Sequence, residues 1–193
     1  MKKFLSIKNI TIFGMLLALV VVLQTISNYV SFGPVSITLS LIPIAVGAMI
    51  FGPIGGGLLG LIMGAFVLIA PSTQTFFQIN PWATVIVCLV KGMAAGIVAG
   101  LIFYPFKKHQ KYLLLGSILA SISVPLVNTG LFSVGYFLWF TSIAGDNNPA
   151  YFLFILMIGW NFLLEFGVNS ILSPVVYRIY QIYQNKAEKE KKL

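Results

Sequence analysis

The chain alternates long apolar stretches with short breaks that contain glycine, proline or polar residues. Six apolar stretches cover about residues 9–28, 36–50, 54–70, 82–104, 112–140 and 151–180. They are continuous rather than alternating with a period of two, so they predict helices and not the strands of a membrane barrel. A bilayer core about 30 Å thick needs about 20 apolar residues per helix. The pattern therefore predicts one all-α domain, residues 1–193, with six transmembrane helices.

The composition strengthens the membrane prediction. Of the 193 residues, 59% are hydrophobic and 8% are charged, and the mean hydropathy is +0.97. Soluble domains contain about 25% charged residues. The start of the chain is similar to a signal peptide, but "QTISNYVSFG" lacks a small-residue cleavage site, so we expect an uncleaved first helix. We expect a multi-pass protein of the bacterial cytoplasmic membrane.

The positive charges lie in clusters at the ends of the apolar stretches. They precede the first stretch, separate the fourth from the fifth and follow the sixth: Lys2, Lys3, Lys8, Lys107, Lys108, Lys111, Arg178 and the lysines of the C-terminal tail. With six spans all clusters fall on one side, and the positive-inside rule makes that side cytoplasmic. Both termini are then cytoplasmic. The net charge of +8 serves orientation, so we expect no nucleic-acid partner, and His109 in the basic loop is interpreted as a solvated residue.

A small set of polar residues interrupts the apolar stretches of the second half. Lys91 is about ten residues into the fourth stretch, and Glu165 is near the middle of the sixth. Asn161 and Asn169 flank Glu165 at four-residue spacing on the same helix face, and Asn128 lies in the fifth stretch. Ionisable residues inside a membrane are costly and usually functional. These residues either neutralise and bond each other between helices or line a polar pocket that opens to the outside.

Aromatic and polar residues collect at the predicted outer ends of the helices. Tyr136 and Trp139 end the fifth stretch, and the loop "TQTFFQINPW" contains Gln78, Asn80 and Trp82. The aromatic residues fit an interfacial belt. Alternatively, the loop forms a lid that contributes to the pocket.

The sequence lacks the groups of an enzyme site. It has four acidic residues, Asp146, Glu165, Glu188 and Glu190, and one histidine and one cysteine. No metal-ligand cluster, Walker loop or Ser-His-acid set is present. We therefore expect no catalysis, cofactor or metal. A self-sufficient transporter or channel stays open as an alternative, although it would need internal repeats or several charged coupling residues, and no repeat relates the halves.

Small residues recur at four-residue spacing, which lets helices approach closely. They form three rows: Gly14 and Ala18, then Gly56, Gly60 and Gly64, then Gly92, Gly96 and Gly100. The second and third rows predict packing within the chain. The first helix has no evident share in the polar pocket, so its row is the better candidate for docking against another membrane protein.

Three motifs carry a resemblance to a known family: "GPVSITLSLIPIAVGAMIFGPIGGGLLGLIMG", "LVKGMAAGIVAG" and "VPLVNTG". With the six short spans, they make the chain resemble the substrate-binding S components of energy-coupling factor (ECF) vitamin transporters. It is most similar to the pantothenate-specific branch. It departs from the riboflavin branch, because "SITLSLIP" replaces the lysine-tyrosine-aspartate signature. Riboflavin, pyridoxine, folate and cobalamin remain alternative substrates.

The resemblance implies a high-affinity binding subunit that does no ATP chemistry. A membrane T component and two cytoplasmic ATPases would supply the energy, and the S component would topple in the bilayer to deliver the vitamin. Gly14 and Ala18 would meet the T component. Lys91 would hold the pantothenate carboxylate, and the amides of Asn128, Asn161 and Asn169 would bond its other groups. Glu165 would either pair with Lys91 or accept substrate hydroxyls.

Overall fold

A computed structural model describes residues 7–29, 31–32, 35–36, 38–107 and 110–189. The predictions for Lys2, Lys3, Lys108, His109 and Glu190 lie outside these residues. The elements in chain order are α1 (Ile7–Tyr29), β1 (Ser31–Phe32), β2 (Val35–Ser36), α2 (Leu41–Leu68), α3 (Gln74–Ile79), α4 (Pro81–Phe106), α5 (Leu113–Trp139), α6 (Pro149–Tyr151) and α7 (Gly159–Lys189). A π-helical stretch, Phe152–Met157, follows α6 and leads into α7.

The chain is helical apart from one short antiparallel strand pair, in which Phe32 pairs with Val35. Five helices in the described part of the chain are long and apolar enough to cross a membrane: Ile7–Tyr29, Leu41–Leu68, Pro81–Phe106, Leu113–Trp139 and Asn161–Asn185. The second predicted stretch was placed from residue 36, whereas the helix begins at Leu41, because residues 35–36 pair as a strand.

Helix α2 combines the second and third predicted stretches and bends sharply between them. Gly52 has φ 79° and ψ −170°, a left-handed φ that favours glycine, and Pro53 follows it. A Cβ added to Gly56 would lie 2.6 Å from the Cβ of Ala48, whereas residues eight apart in a straight helix are separated by about 12 Å. The two arms of α2 therefore fold back on each other as an antiparallel hairpin.

The second arm of α2 packs against α4 through backbone contacts between glycines. Gly56 faces Gly96, Gly60 faces Gly92, and Gly64 faces the backbone of Cys88. The residue numbers rise along one helix as they fall along the other, so the helices are antiparallel. The prediction that these two glycine rows pack within the chain is confirmed.

Contacts at the ends of the helices fix their relative directions. The phenol of Tyr183 on α7 donates to Asn9 Oδ1 on α1 at 3.1 Å, and the Tyr180 ring packs edge-on against Phe103 with centroids 4.8 Å apart. Asn28, at the other end of α1, donates to the Phe66 carbonyl at 3.0 Å. The start of α1 and the last turns of α7 therefore lie at the same end of the bundle.

Candidate functional site

A cavity of about 720 Å³, including its open mouth, lies between α2, α4, α5 and α7 in the half of the bundle opposite Asn9 and Tyr183. Its walls carry one lysine, one glutamate, several hydroxyls and amides, and a group of aromatic rings. The lining residues are Thr38, Val67, Ser72, Thr73, Phe76, Thr84, Val87, Cys88, Lys91, Asn128, Thr129, Phe132, Phe140, Ile158, Asn161, Phe162 and Glu165.

Lys91 is half-buried on α4 and lines the cavity beside α5. Its ammonium lies 5.1 Å from the centroid of the Phe132 ring. This distance permits a cation–π attraction, which compensates part of the cost of a charge at this depth. The Phe132 ring does not accept conventional hydrogen bonds, so the ammonium protons of Lys91 can still donate to another acceptor.

Glu165 is only 5% exposed and reaches the cavity from α7. Its Oε1 accepts the backbone N–H of Thr38 at 2.7 Å. No ion pair joins Glu165 to Lys91, although both are described and both line the same cavity. Of the two interpretations of these residues, the direct ion pair is therefore not formed in this geometry, although the two side chains line one cavity. The cavity thus presents an ammonium group on one wall and a carboxyl group on another.

Two asparagines complete the polar wall. Asn161 donates its Nδ2 to the Met157 carbonyl at 3.0 Å, in the last residue of the π-helical stretch. Asn128 is buried, and its Oδ1 accepts no hydrogen bond from the described residues. A buried acceptor without a donor costs about 1–3 kcal/mol. A donor group placed in the cavity next to Asn128 Oδ1 would satisfy this acceptor.

A family model described as "ECF transporter, substrate-specific component" matches residues 8–177. The chain belongs to this family. It is a substrate-specific component, a non-catalytic binding subunit that lies in the cell membrane and works with the other subunits of an ECF transporter. No curated protein and no solved structure matches it.

Four of the residues predicted for the binding site of this S component line the cavity together: Lys91, Asn128, Asn161 and Glu165. Asn169 lies on the same helix face but one turn deeper, where it is buried and donates its Nδ2 to the Glu165 carbonyl at 2.8 Å. Asn169 thus supports the helix that carries Glu165 rather than lining the cavity.

The five outer residues predicted for the site are not among those that line the cavity of the S component. Tyr136 is fully buried in an apolar cluster, while Trp139 and Gln78 are exposed and Trp82 is 80% exposed. Asn80 caps α4, since its Oδ1 accepts the Ala83 N–H at 3.1 Å. The tryptophans match the interfacial belt that was one of the two interpretations.

The stretch "TQTFFQINPW" contributes to the cavity through a different residue, Phe76 on α3. Its ring packs edge-on against two other rings, with centroid distances of 5.7 Å to Phe132 and 5.1 Å to Phe140. Phe76 therefore contributes apolar surface to the cavity wall. Its position in a polar-aromatic loop was visible in the sequence, but which of the loop's aromatic residues turns inward depends on the packing of α3.

Sequence reasoning also missed the hydroxyl and aromatic residues that share faces with the predicted ones. Thr84 precedes Lys91 by two helical turns on α4, and Phe132 follows Asn128 by one turn on α5. Thr84 and Phe132 could have been predicted from the sequence, because helical spacing places them on the same faces as Lys91 and Asn128. Thr38 had no such signal, since it contacts Glu165 across 127 residues of sequence.

Proposed function

We propose that this S component binds pantothenate, or a closely similar hydroxylated carboxylic acid, in the cavity between α4, α5 and α7. One observation carries the proposal: Lys91 faces the cavity and forms no ion pair with a carboxylate of the described residues. A solute carboxylate would supply the missing charge. Asn128 would then accept from a hydroxyl or amide of the solute, and Asn161 would offer further amide hydrogen bonding.

Glu165 favours a solute that also donates hydrogen bonds. The carboxylate keeps one bond to Thr38, and a carboxylate has capacity for several acceptor contacts. Hydroxyl groups of the solute would satisfy that capacity without adding a second charge. Pantothenate, with one carboxylate, hydroxyls and an amide, has this combination, whereas an uncharged vitamin would leave Lys91 without a counter-ion.

We further propose the six-span topology with both termini in the cytoplasm. The bend at Gly52 divides α2 into two antiparallel arms, which supports six crossings or partial crossings rather than five. The hydrogen bond between Asn9 and Tyr183 supports placing the two termini at one end. Arg178 lies on α7 near this end, so the positive-inside rule supports a cytoplasmic assignment. The cavity would then open to the outside.

The docking surface for the membrane T component would be the face of α1 that carries Gly14 and Ala18. Both residues are exposed, and a Cβ added to Gly14 would meet nothing within 4 Å. Packing within the chain therefore does not explain this pair of small residues. A partner helix that approaches closely does. The T component would join two cytoplasmic ATPases, and the toppling motion would start from this complex.

Titration calorimetry on the purified S component without ATP tests the substrate. The ligands are pantothenate, its alcohol analogue pantothenol, riboflavin, pyridoxine, folate and cobalamin. We expect tight binding of pantothenate and much weaker binding of pantothenol, because the alcohol lacks the carboxylate for Lys91. Equal binding of the two would contradict the role of Lys91, and silence from every ligand in folded protein would contradict the binding assignment. Mass spectrometry of co-purified small molecules provides an independent identification.

Assembly separates this proposal from the alternative of a self-sufficient transporter. An S component should co-purify with ATPases and should transport nothing when reconstituted alone. Uptake into vesicles that contain only this chain would favour the alternative.

A further inference from the structure

The contact that orients Glu165 is itself held in place by α1. Thr38, which donates to Glu165, begins a short segment whose next two residues are both bonded to α1. The Leu39 N–H donates to Ser27 Oγ at 3.0 Å, and Ser40 Oγ donates to Gln24 Oε1 at 2.7 Å. The position of segment 38–40 therefore depends on the position of α1.

On the α1 side, the hydrogen bonds continue as a chain from Gln24 through Asn28 to the backbone of α2. Gln24 Nε2 donates to Asn28 Oδ1 at 2.9 Å, and Asn28 Nδ2 donates to the Phe66 carbonyl at 3.0 Å. Gln24, Ser27 and Asn28 are buried, yet none of them lines the cavity. Buried hydrogen bonds of this kind are costly to break singly, because each break leaves an unsatisfied polar group. The network thus fixes segment 38–40 against α1.

We propose that Gln24 and Ser27 are positioning residues that keep the Glu165 carboxylate away from Lys91, so that Lys91 stays available for the anionic group of the solute. Opposite charges attract strongly in a low-dielectric cavity, and the long lysine side chain is flexible. Thr38 holds the carboxylate against that attraction. If segment 38–40 shifts, Glu165 loses this bond and turns to Lys91. A solute carboxylate then has to displace an internal ion pair. This inference rests on the proposed binding of an acidic solute.

The test is a double-mutant cycle on solute affinity in the full chain, with pantothenate as the probe. Gln24→Met removes both hydrogen bonds of Gln24 at similar side-chain length, and we expect the Kd to rise about tenfold. In an E165Q background the same change should alter the Kd by less than about twofold, because no carboxylate remains to capture Lys91. The matched control is Thr25→Val, one position along α1, where the hydroxyl bonds only the Val21 carbonyl of its own helix. It should leave the Kd unchanged.

Two outcomes overturn the inference: an unchanged Kd in folded Gln24→Met protein, or an equal loss of affinity with and without E165Q. If Gln24→Met does not fold, Ser27→Ala carries the same test, since it removes only the acceptor of the Leu39 N–H.

A ligand-independent measurement separates this inference from the proposed function. Infrared difference spectra against E165Q isolate the Glu165 carboxylate band. Gln24→Met should shift that band when Lys91 is present and not in a Lys91→Met background. If wild-type protein binds no acidic solute, the substrate assignment fails, and this band shift still decides whether α1 positions Glu165. A band that is unchanged by Gln24→Met refutes the positioning role.

Discussion

The backbone contact between Gly60 and Gly92 is one of the closest in the α2–α4 interface, and it yields a quantitative prediction. A Cβ added to Gly60 would lie 2.6 Å from the carbonyl carbon of Gly92 and would overlap its oxygen. Ordinary contact between such atoms begins at about 3.5 Å. The obstacle is backbone, so no rotamer change relieves it. Gly60→Ala therefore has to push the two helices apart by about 1 Å.

That separation affects the whole row, because a helix moves as a rigid unit. Two further contacts would be lost at the same time, Gly56 with Gly96 and Gly64 with Cys88. Overpacking of a close-packed interface costs about 1–3 kcal/mol. The change to alanine returns up to about 1 kcal/mol of helix propensity. We expect Gly60→Ala to lower the free energy of unfolding by up to about 2 kcal/mol net.

Gly130→Ala on α5 is the matched control. Gly130 is also inside a long helix, but a Cβ there would meet nothing within 4 Å. It should keep the propensity gain without the clash, so the two variants should differ by about 1–3 kcal/mol. Reversible unfolding in mixed detergent micelles measures both. Equal stability of the two variants would refute the argument that backbone contact, rather than the mere presence of glycine, stabilises this interface.

Three further predictions concern binding, docking and capping. Lys91→Met should weaken a carboxylate-bearing solute by about 1.5–3 kcal/mol in calorimetry while leaving pantothenol binding nearly unchanged; an equal loss for both ligands would indicate a structural role. Replacing Gly14 and Ala18 together with leucine should abolish assembly with the T component and uptake, with solute binding to the isolated protein intact, and normal assembly would exclude this surface. Asn80→Ala should cost about 1 kcal/mol of stability without affecting the Kd, and a weakened Kd at unchanged stability would instead place Asn80 in the binding site.

The membrane class and most of the helices were predictable from the sequence because they depend on local properties. Apolar stretches of sufficient length predict spanning helices, and the glycine and proline in "FGPIGGG" predicted the break that the structure has at Gly52. The depth of Lys91 and Glu165 followed from counting residues along their helices. Because helical periodicity is local, the shared face of Asn161 and Glu165 was predictable too.

The contacts between these elements were decided by tertiary packing. The sequence placed Lys91 and Glu165 at similar depth, but whether they pair depends on Thr38, which reaches Glu165 from a segment 127 residues away. The outer residues show the same limit: Tyr136 is buried among apolar side chains, Asn80 caps a helix, and Phe76 lines the cavity. Each of these residues is compatible with several roles until the neighbouring helix is in place.

The sequence by itself therefore determined which segments are long and apolar enough to cross a membrane and which charged residues those segments contain, since both depend only on the hydropathy and length of each segment. The tertiary structure alone decided that Lys91 and Glu165 line one cavity without forming a direct ion pair. The reason is geometric: hydrogen bonds from α1 hold segment 38–40, and that segment directs the Glu165 carboxylate. Such long-range contacts depend on how rigid helices pack, and no local pattern of residues encodes them.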